Sequence, residues 1–288
     1  MYSRDDTARA VLRFYQEVIR HPYLNDNALI IPPPTGWDSI KIQGKNETVL
    51  DLLRHLPYLR SENQYRRLLV HWETVPVCYP DTQNSQEVYP LPAYCVYLTH
   101  SVDREGTSLI LDTNKGTTTE YTHTGSHIIV SCEEYDALPE SDKWKVHRTS
   151  PITEFFDSWT RKYEKLVWML VPNPIGQPTT GRFYSRAETR VEEEELVEQG
   201  LPEPWHPVDD TSGNDHGDES ELDREHRKTR ARARKHAADV YNTYLRYGWP
   251  DHFDKQRCRA ELLELEKIKD ADDRRWMDEM NPDAALFG

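Results

Sequence analysis

The chain has 288 residues and a formal net charge of −14, and 36% of its residues are hydrophobic. This length allows one large domain or two small ones, and the low apolar content predicts that part of the chain is unpacked. No apolar run approaches the ~18 residues that span a bilayer, which excludes a transmembrane helix. The charged first residues do not resemble a signal peptide, and the four cysteines form no Cys-x-x-Cys pair. We therefore expect a protein of the reducing cytoplasm or the nucleus, with no membrane partner.

The first two predicted elements are amphipathic helices. Residues 5–21 carry apolar side chains at helical spacing, and the segment ends before Pro22, because proline disfavours the α conformation of the preceding residue. Residues 46–56 form the second predicted helix, in which Asn46 is a suitable cap and Pro57 follows the last turn.

The pattern then changes from helical to extended. The predicted strands occupy residues 68–72, 74–78, 92–99, 107–112, 117–123 and 127–131. They are rich in aromatic and β-branched side chains. Between the fourth and fifth strands, Asn114 and Gly116 accept the positive φ that a tight hairpin requires. Short connections between consecutive strands predict an antiparallel meander.

A third helix and a helical C-terminal region complete the predicted architecture. Ser150 and Pro151 form a start signal for the third helix. We expect a compact domain over residues 1–175, an acidic disordered linker over 176–221 and a charged helical hairpin over 222–280. The predicted fold class is α+β, a mostly antiparallel sheet flanked by helices and followed by the C-terminal helical hairpin.

The charge is concentrated in two adjacent segments. Residues 188–225 carry 15 acidic and 2 basic side chains, and residues 226–236 carry six Lys or Arg and no acid. Glu192–Glu195 and Asp209–Asp215 are the densest acidic parts. Such a composition cannot bury enough apolar surface to offset its ordering entropy, which favours a disordered linker. The alternative is an acidic arm that binds the basic stretch beside it, or a basic partner, through salt-sensitive contacts.

The order of the central elements is similar to that of a known family. The features in question are the strand Gly106–Asp112, the turn glycine Gly116, the return strand ending in Tyr121 and His123, and the helix with Ile152, Phe155 and Phe156. Over roughly residues 28–171 the chain resembles the SUKH superfamily and its fungal branch, which includes regulators of cell-wall β-glucan synthesis. Bacterial members are mostly toxin-immunity proteins. The resemblance implies a mixed α+β fold, a protein partner and a non-catalytic role, and it supplies no catalytic residue.

The common enzyme signatures are absent, and the candidates for catalysis are isolated polar residues of the predicted sheet. No P-loop, dinucleotide-binding, zinc-protease or serine-hydrolase motif occurs, so we predict no cofactor and no metal site. The first residues to test are His71, Glu73, Asp112, Glu120 and His123.

Each of these candidates has a catalytic and a structural interpretation. His71 and Glu73 share a face of the predicted strand, where a base and an orienting carboxylate would meet, unless the strand merely buries Trp72 and turns its polar face outward. Asp112 and Glu120 flank the hairpin, where paired carboxylates share acid–base work or simply form turns. His123 lies beside a predicted turn, which favours a surface histidine over a metal ligand.

The basic segment is the strongest binding signal. It is predicted to be helical and contains Arg227, Lys228, Arg230, Arg232, Arg234 and Lys235. Such a helix can bind the phosphates of RNA or tRNA, and the tyrosines and the tryptophan that follow it can stack on bases. A nuclear-import signal and a solvated helix that binds the acidic arm are the alternatives.

Two hypotheses about function follow. The first is a non-catalytic protein-interaction or regulatory module of the fungal cytoplasm. The second is a biosynthetic enzyme, such as a tRNA-dependent transferase or small-peptide synthase, that holds RNA on the basic helix. An enzyme requires the five candidate catalytic residues to converge in one pocket, whereas a binding module does not.

Overall fold

The described helices and strands form an α+β fold, which confirms the predicted fold class. The computed structural model describes residues 2–63, 65–81, 91–200, 203–207 and 220–280. The acidic stretch Asp209–Asp215 lies outside these ranges. Within the same ranges, no helix is both long enough and apolar enough to cross a membrane.

Helices and strands are interspersed along the chain. The helices are α1 (Arg4–Arg20), α2 (Glu47–His55), α3 (Cys132–Asp136), α4 (Ile152–Glu164), α5 (Arg190–Glu198), α6 (Glu221–Arg246) and α7 (Lys255–Met280). The strands are β1 (Leu29–Ile30), β2 (Tyr58–Leu59), β3 (Thr74–Pro76), β4 (Cys95–Tyr97), β5 (Thr99–Ser101), β6 (Thr107–Asp112), β7 (Thr117–Thr122), β8 (Thr149–Pro151), β9 (Trp168–Pro172) and β10 (Gly181–Ser185). The helices predicted over residues 5–21 and 46–56 are confirmed as α1 and α2.

The central sheet is antiparallel and has the strand order β4-β6-β7-β8. Its tightest connection is the predicted hairpin, in which Asp112 pairs with Thr117 and Gly116 has a φ of +70°. The middle of β6, from Leu109 to Leu111, is completely buried. Alternation of short strands and tight turns therefore predicted this part of the sheet correctly.

Aromatic side chains join α1 and α4 in the main core. The ring centroid of Phe14 lies 5.3 Å from that of Phe156 and 5.7 Å from that of Trp159. The Tyr163 hydroxyl donates to the carbonyl oxygen of Val70 at 2.6 Å. The aromatic face predicted for the third helix is thus a packing surface, in which buried tyrosines still satisfy their hydroxyl groups.

Two of the predicted strands are wrong. Residues 68–72 form an irregular segment that is buried from Leu68 to Val70 and ends in a turn, with the Val70 amide donating to the Thr74 carbonyl oxygen at 2.8 Å. Residues 127–131 make one isolated bridge, between Ile128 and His147, before α3 begins. The apolar run Leu68–Val70 indicated burial correctly, but burial alone does not specify a strand, and Ile129 of the second segment is 68% exposed.

The predicted disorder over residues 176–221 is wrong for residues 181–198. β10 pairs with β9 along its whole length, and α5 has a capping box formed by Thr189 and Glu192. Val197 of α5 is only 8% exposed and belongs to the main core. Glu193 accepts hydrogen bonds from Lys162 at 2.5 Å and from the Trp168 indole at 2.7 Å. Apolar contacts of Val197 and Leu196, together with paired carboxylates, therefore order a helix where composition alone predicts a linker.

The C-terminal helical hairpin packs directly against the rest of the protein. A second core cluster combines Leu166, Met169 and Val171 with residues of both long helices, among them Val240, Tyr241, Tyr244, Trp249, Cys258 and Leu262. Tyr241 and Tyr244 are completely buried, and the Tyr244 hydroxyl donates to the Leu170 carbonyl oxygen at 2.8 Å. These two tyrosines are therefore packing residues, and the predicted stacking of bases on them is wrong.

Candidate functional site

A cleft of about 920 Å³ lies between the β9–β10 hairpin, α6 and α7. Its apolar lining includes Leu69, Trp72, Phe183, Ala233 and Ala237. Its cationic lining consists of Arg182, Arg230, Arg234 and Lys269. The described carboxylates that line it are those of Glu73, Glu188, Asp270 and Asp273. An apolar concave surface with a few convergent charged groups is the usual form of a binding site.

One side of the cleft is a two-residue turn that carries an exposed tryptophan. The turn lies between His71 and Thr74, and the Thr74 amide donates to the His71 carbonyl oxygen at 3.2 Å. Trp72 is 48% exposed, and Glu73 has a φ of +46°. A glutamate in the left-handed region raises the free energy of the folded state by about 1–3 kcal/mol. The surrounding structure must therefore hold this turn in place.

The connection between β5 and β6 holds the turn. The Val102 amide donates to the Glu73 carbonyl oxygen at 2.9 Å, and the Glu105 amide donates to the Glu73 carboxylate at 2.9 Å. Gly106 packs against the same carbonyl group, so closely that a Cβ atom would collide with it. The backbone that carries Trp72 is consequently fixed at the edge of the cleft.

His71 lies behind the cleft among aromatic rings. Its ring centroid is 4.5 Å from that of Trp168, 4.5 Å from that of Phe183 and 5.0 Å from that of Trp159. Burial among these rings, together with the nearby positive charge of Lys162, lowers the pKa of His71 to about 3. Its Nδ1 atom is buried and makes no hydrogen bond with a described residue. A neutral, enclosed imidazole of this kind supports Phe183 from behind.

A buried carboxylate joins the three elements that enclose the cleft. The Glu266 side chain on α7 is completely buried. It accepts hydrogen bonds from Arg182 at 2.7 Å and Tyr184 at 2.9 Å on β10, and it lies 2.8 Å from the His236 ring on α6. Burial lowers the pKa of Arg182, but the carboxylates of Asp270 and Glu266 outweigh burial and raise it above its usual range. This network fixes the relative positions of β10, α6 and α7.

The cleft also contains a glutamate that contacts two arginines at long distances. Arg230 and Arg234 lie one helical turn apart on α6, with Glu188 between them. The Glu188 carboxylate is 3.9 Å from Arg230 Nε and 3.7 Å from Arg234 Nε. These distances exceed those of charge-assisted hydrogen bonds, which are about 2.7–2.9 Å. The Arg230 side chain is 71% exposed and therefore remains accessible from solvent.

The predicted basic binding helix is confirmed as a helix, but its cations point in different directions. Arg230 and Arg234 line the cleft. Lys228 bonds to Glu225 at 2.7 Å on its own helix, and Arg232 bonds to Asp273 at 3.1 Å. Lys235 is exposed, Arg227 is partly buried, and neither lines the cleft. A helix periodicity of 3.6 residues distributes six adjacent cations around the axis in this way.

The candidate catalytic residues lie in different surroundings. The Asp112 carboxylate accepts the amides of Asn114 and Lys115 at 2.9 and 3.1 Å, which is a turn-forming role. Glu120 is only 7% exposed and accepts two hydrogen bonds from Arg148, at 2.6 and 2.8 Å. His123 is exposed near the end of the hairpin, with its ring 5.4 Å from that of Tyr121.

The cleft brings together Glu73 and two predicted cations, Arg230 and Arg234. Of the five candidate catalytic residues, Glu73 is the one that appears among the described lining residues, and it lies on a turn rather than on a strand face. Sequence reasoning missed Trp72 as a surface residue, and it included Glu188 only as part of the acidic segment 188–225 that could bind the basic stretch. The local signal for Trp72 was weak, because a tryptophan flanked by an apolar run is usually buried.

Neither a metal cluster nor a relative identifies the site. Within the described ranges, no group of three or more His, Cys, Asp or Glu side chains is arranged to hold a metal ion. Comparisons with protein-family models, with curated proteins and with solved structures produced no match. The geometry of the cleft is therefore the basis for inferring its function.

Proposed function

We propose that the chain is a non-catalytic protein-interaction module that captures a segment of a partner protein in the cleft, with Trp72 as the anchor. The observation that carries this proposal is the exposed Trp72 on a turn that the fold holds in a strained conformation. The SUKH resemblance of residues 28–171 agrees with a protein partner, and we place the protein in the fungal cytoplasm as part of the same proposal.

The turn supports this role because it presents a large apolar side chain to solvent on a backbone that the fold holds in place. A glutamate in the left-handed region raises the free energy of the folded chain, and an exposed tryptophan leaves apolar surface in water. The exposure of Trp72 is explained if its side chain becomes buried when a partner binds. Tryptophan is enriched among the residues that dominate binding energy, because it combines a large apolar area with one hydrogen-bond donor.

The positions of the other candidates support a role without chemistry. Asp112 is engaged in turn formation, Glu120 is bonded to Arg148, and His71 has a pKa of about 3. A general base works best with a pKa near the operating pH. His71 stays neutral down to about pH 3, and the neighbouring Glu73 is held by backbone hydrogen bonds. This pair is better suited to support the cleft wall than to transfer protons.

The experiment compares two exposed apolar positions in affinity capture. Tagged wild-type protein, Trp72→Ala and Ile129→Ala are incubated with cell extract of the source organism, and captured proteins are quantified by mass spectrometry. Ile129 is the matched control, because it is 68% exposed and does not line the cleft. We expect wild type and Ile129→Ala to recover a stoichiometric partner that Trp72→Ala loses.

Three results would contradict the proposal. The first is a partner that Trp72→Ala recovers as well as wild type does, and the second is the absence of any stoichiometric partner. The third concerns the enzyme hypothesis: a new small molecule, formed when the chain is expressed in an unrelated host and lost in Glu73→Gln or Glu120→Gln, would establish catalysis. Binding of tRNA on the basic helix would then become the leading explanation for Arg230 and Arg234.

A further inference from the structure

Deepening the proposed function on which it rests, we infer that the partner segment is an acidic peptide. Its carboxylate replaces Glu188 between Arg230 and Arg234, and an adjacent apolar side chain packs on Trp72. Glu188 thus occupies the peptide's charge site when the cleft is empty. The evidence consists of the loose contacts of Glu188, the tight contacts of the other charges and the apolar lining beside them.

Glu188 is bound at its backbone but not at its side chain. Its amide donates to the Glu192 carboxylate at 2.7 Å, which anchors it next to the capping residue of α5, Thr189. Among the described residues, its own carboxylate contacts the two arginines, at 3.7 and 3.9 Å, and the side chain is 42% exposed. Exposed ion pairs contribute little free energy, so the side chain can rotate into water without disturbing the helix.

The other charges of the cleft are held more closely. Lys269 bonds to Asp273 at 2.6 Å, and Arg182 bonds to Asp270 at 2.7 Å. Glu73 accepts the Glu105 amide at 2.9 Å. When Glu188 rotates away, the described lining retains four cations and three carboxylates. The vacated position is then positive and favours an incoming carboxylate over an ammonium group.

An apolar surface adjoins the two arginines. On α6, Arg230, Ala233, Arg234 and Ala237 recur at the spacing of one helix face, so two small side chains lie beside the two guanidinium groups. Trp72 and Phe183 line the same cleft from other elements. This combination fits a peptide in which acidic residues flank a larger apolar one.

The test measures peptide binding to the full chain by fluorescence anisotropy. The probe is a labelled peptide with a central leucine flanked by glutamates, and the control peptide has glutamines in place of the glutamates. We expect the acidic peptide to bind and the control peptide to bind weakly. Glu188→Gln removes the internal competitor and should tighten binding about 2–5-fold.

The double variant Arg230→Gln/Arg234→Gln should weaken binding by about tenfold or more, since charge-assisted contacts are lost. The matched control is Lys228→Gln/Lys235→Gln, which removes two charges from the same helix outside the cleft. It should leave the affinity within about twofold, because neither side chain lines the cleft and exposed charges in water contribute little free energy.

Three results would overturn the inference. Equal losses in the two double variants would mean that the peptide responds to general charge rather than to this site. Equal or tighter binding of a single-stranded RNA of the same length, with the same dependence on Arg230 and Arg234, would make the ligand a nucleic acid. An acidic peptide that does not bind, while Trp72→Ala still loses its captured partner, would refute the acidic ligand alone and leave the interaction module intact.

Discussion

Gly106 lies against the carbonyl oxygen of Glu73 in a space that excludes any side chain. This contact joins the β5–β6 connection to the turn that carries Trp72. We expect Gly106→Ala to push the turn away and to lower the free energy of unfolding by about 1–3 kcal/mol, the usual effect of overpacking. Denaturant unfolding gives the free energy, and capture of the partner reports on the turn.

Gly200→Ala is the control for this prediction. Position 200 has no neighbouring atom within 4 Å of an added Cβ and no positive φ. Unchanged stability and capture in both alanine variants would show that the turn tolerates displacement, and that its close packing does not position Trp72.

Glu266 should be the most important carboxylate of the C-terminal region for stability. Glu266→Gln keeps the shape of the side chain but removes the buried negative charge to which Arg182 donates a hydrogen bond. Arg182 retains Asp270, so we expect a loss of about 1.5–3 kcal/mol in the free energy of unfolding, typical of a hydrogen bond to a charged group. Glu264→Gln, at an exposed pair with Lys267, should change stability by less than about 0.5 kcal/mol. Equal effects of the two variants in urea unfolding would contradict the network.

Helix α5 is ordered although its composition predicts a disordered linker, and two of its valines allow a direct test of this order. Val197 and Val191 belong to the same helix, but Val197 is 8% exposed and Val191 is 65% exposed. Val197→Ala should destabilise the protein by about 1–2 kcal/mol, because two buried methyl groups are lost. Val191→Ala should be neutral in the same thermal and urea measurements. If both are neutral, α5 does not pack on the core.

Acidification should destabilise the protein through buried histidines. Burial, with a contribution from the nearby His127, lowers the pKa of His147 to about 4, and His147 is completely buried without a hydrogen bond from a described residue to either ring nitrogen. The unfolded chain binds a proton near pH 6.5 that the folded chain does not bind until about pH 4. Stability is therefore complete above pH 6.5 and is lost as the pH falls towards 4.

The slope of the unfolding free energy against pH should be about 1.4 kcal/mol per pH unit for each such histidine. We expect His147→Gln to reduce the slope of unfolding free energy against pH between 6.5 and 4. His226→Gln, at an exposed histidine of α6 that does not contribute to the pKa of His147, serves as the control and should retain the wild-type slope. An unchanged slope in His147→Gln would show that this side chain is not the origin of the acid sensitivity.

Local signals in the sequence were sufficient for the regular elements of the fold. The Asn46 side chain accepts the Val49 amide at 2.9 Å, as a cap at the start of α2 requires. The turn at Gly116 and the two long C-terminal helices also follow from local patterns. Each of these depends on residues within a few positions of one another, which is the range over which propensity and capping act.

The cleft depends on contacts that no local pattern contains. Glu188 and Arg230 are far apart in the chain, and the exposure of Trp72 follows from the conformation of Glu73, which the remote Gly106 and Val102 stabilise. The acidic composition around Glu193 indicated a linker, yet Lys162 and Trp168 bind that carboxylate. In these segments, contacts between residues distant in sequence determined the structure, although composition and local propensity indicated otherwise.

The walls of the cleft come from four separate stretches of the chain, around Trp72, Arg182, Arg230 and Asp270. An unfolded chain cannot assemble such a surface, so any ligand of the cleft binds the folded state alone. Ligand at a hundred times its dissociation constant then stabilises the fold by about 2.7 kcal/mol, whatever its chemical nature. A thermal-shift screen can therefore reveal an occupant before its identity is known, because the melting temperature itself reports that the cleft is filled.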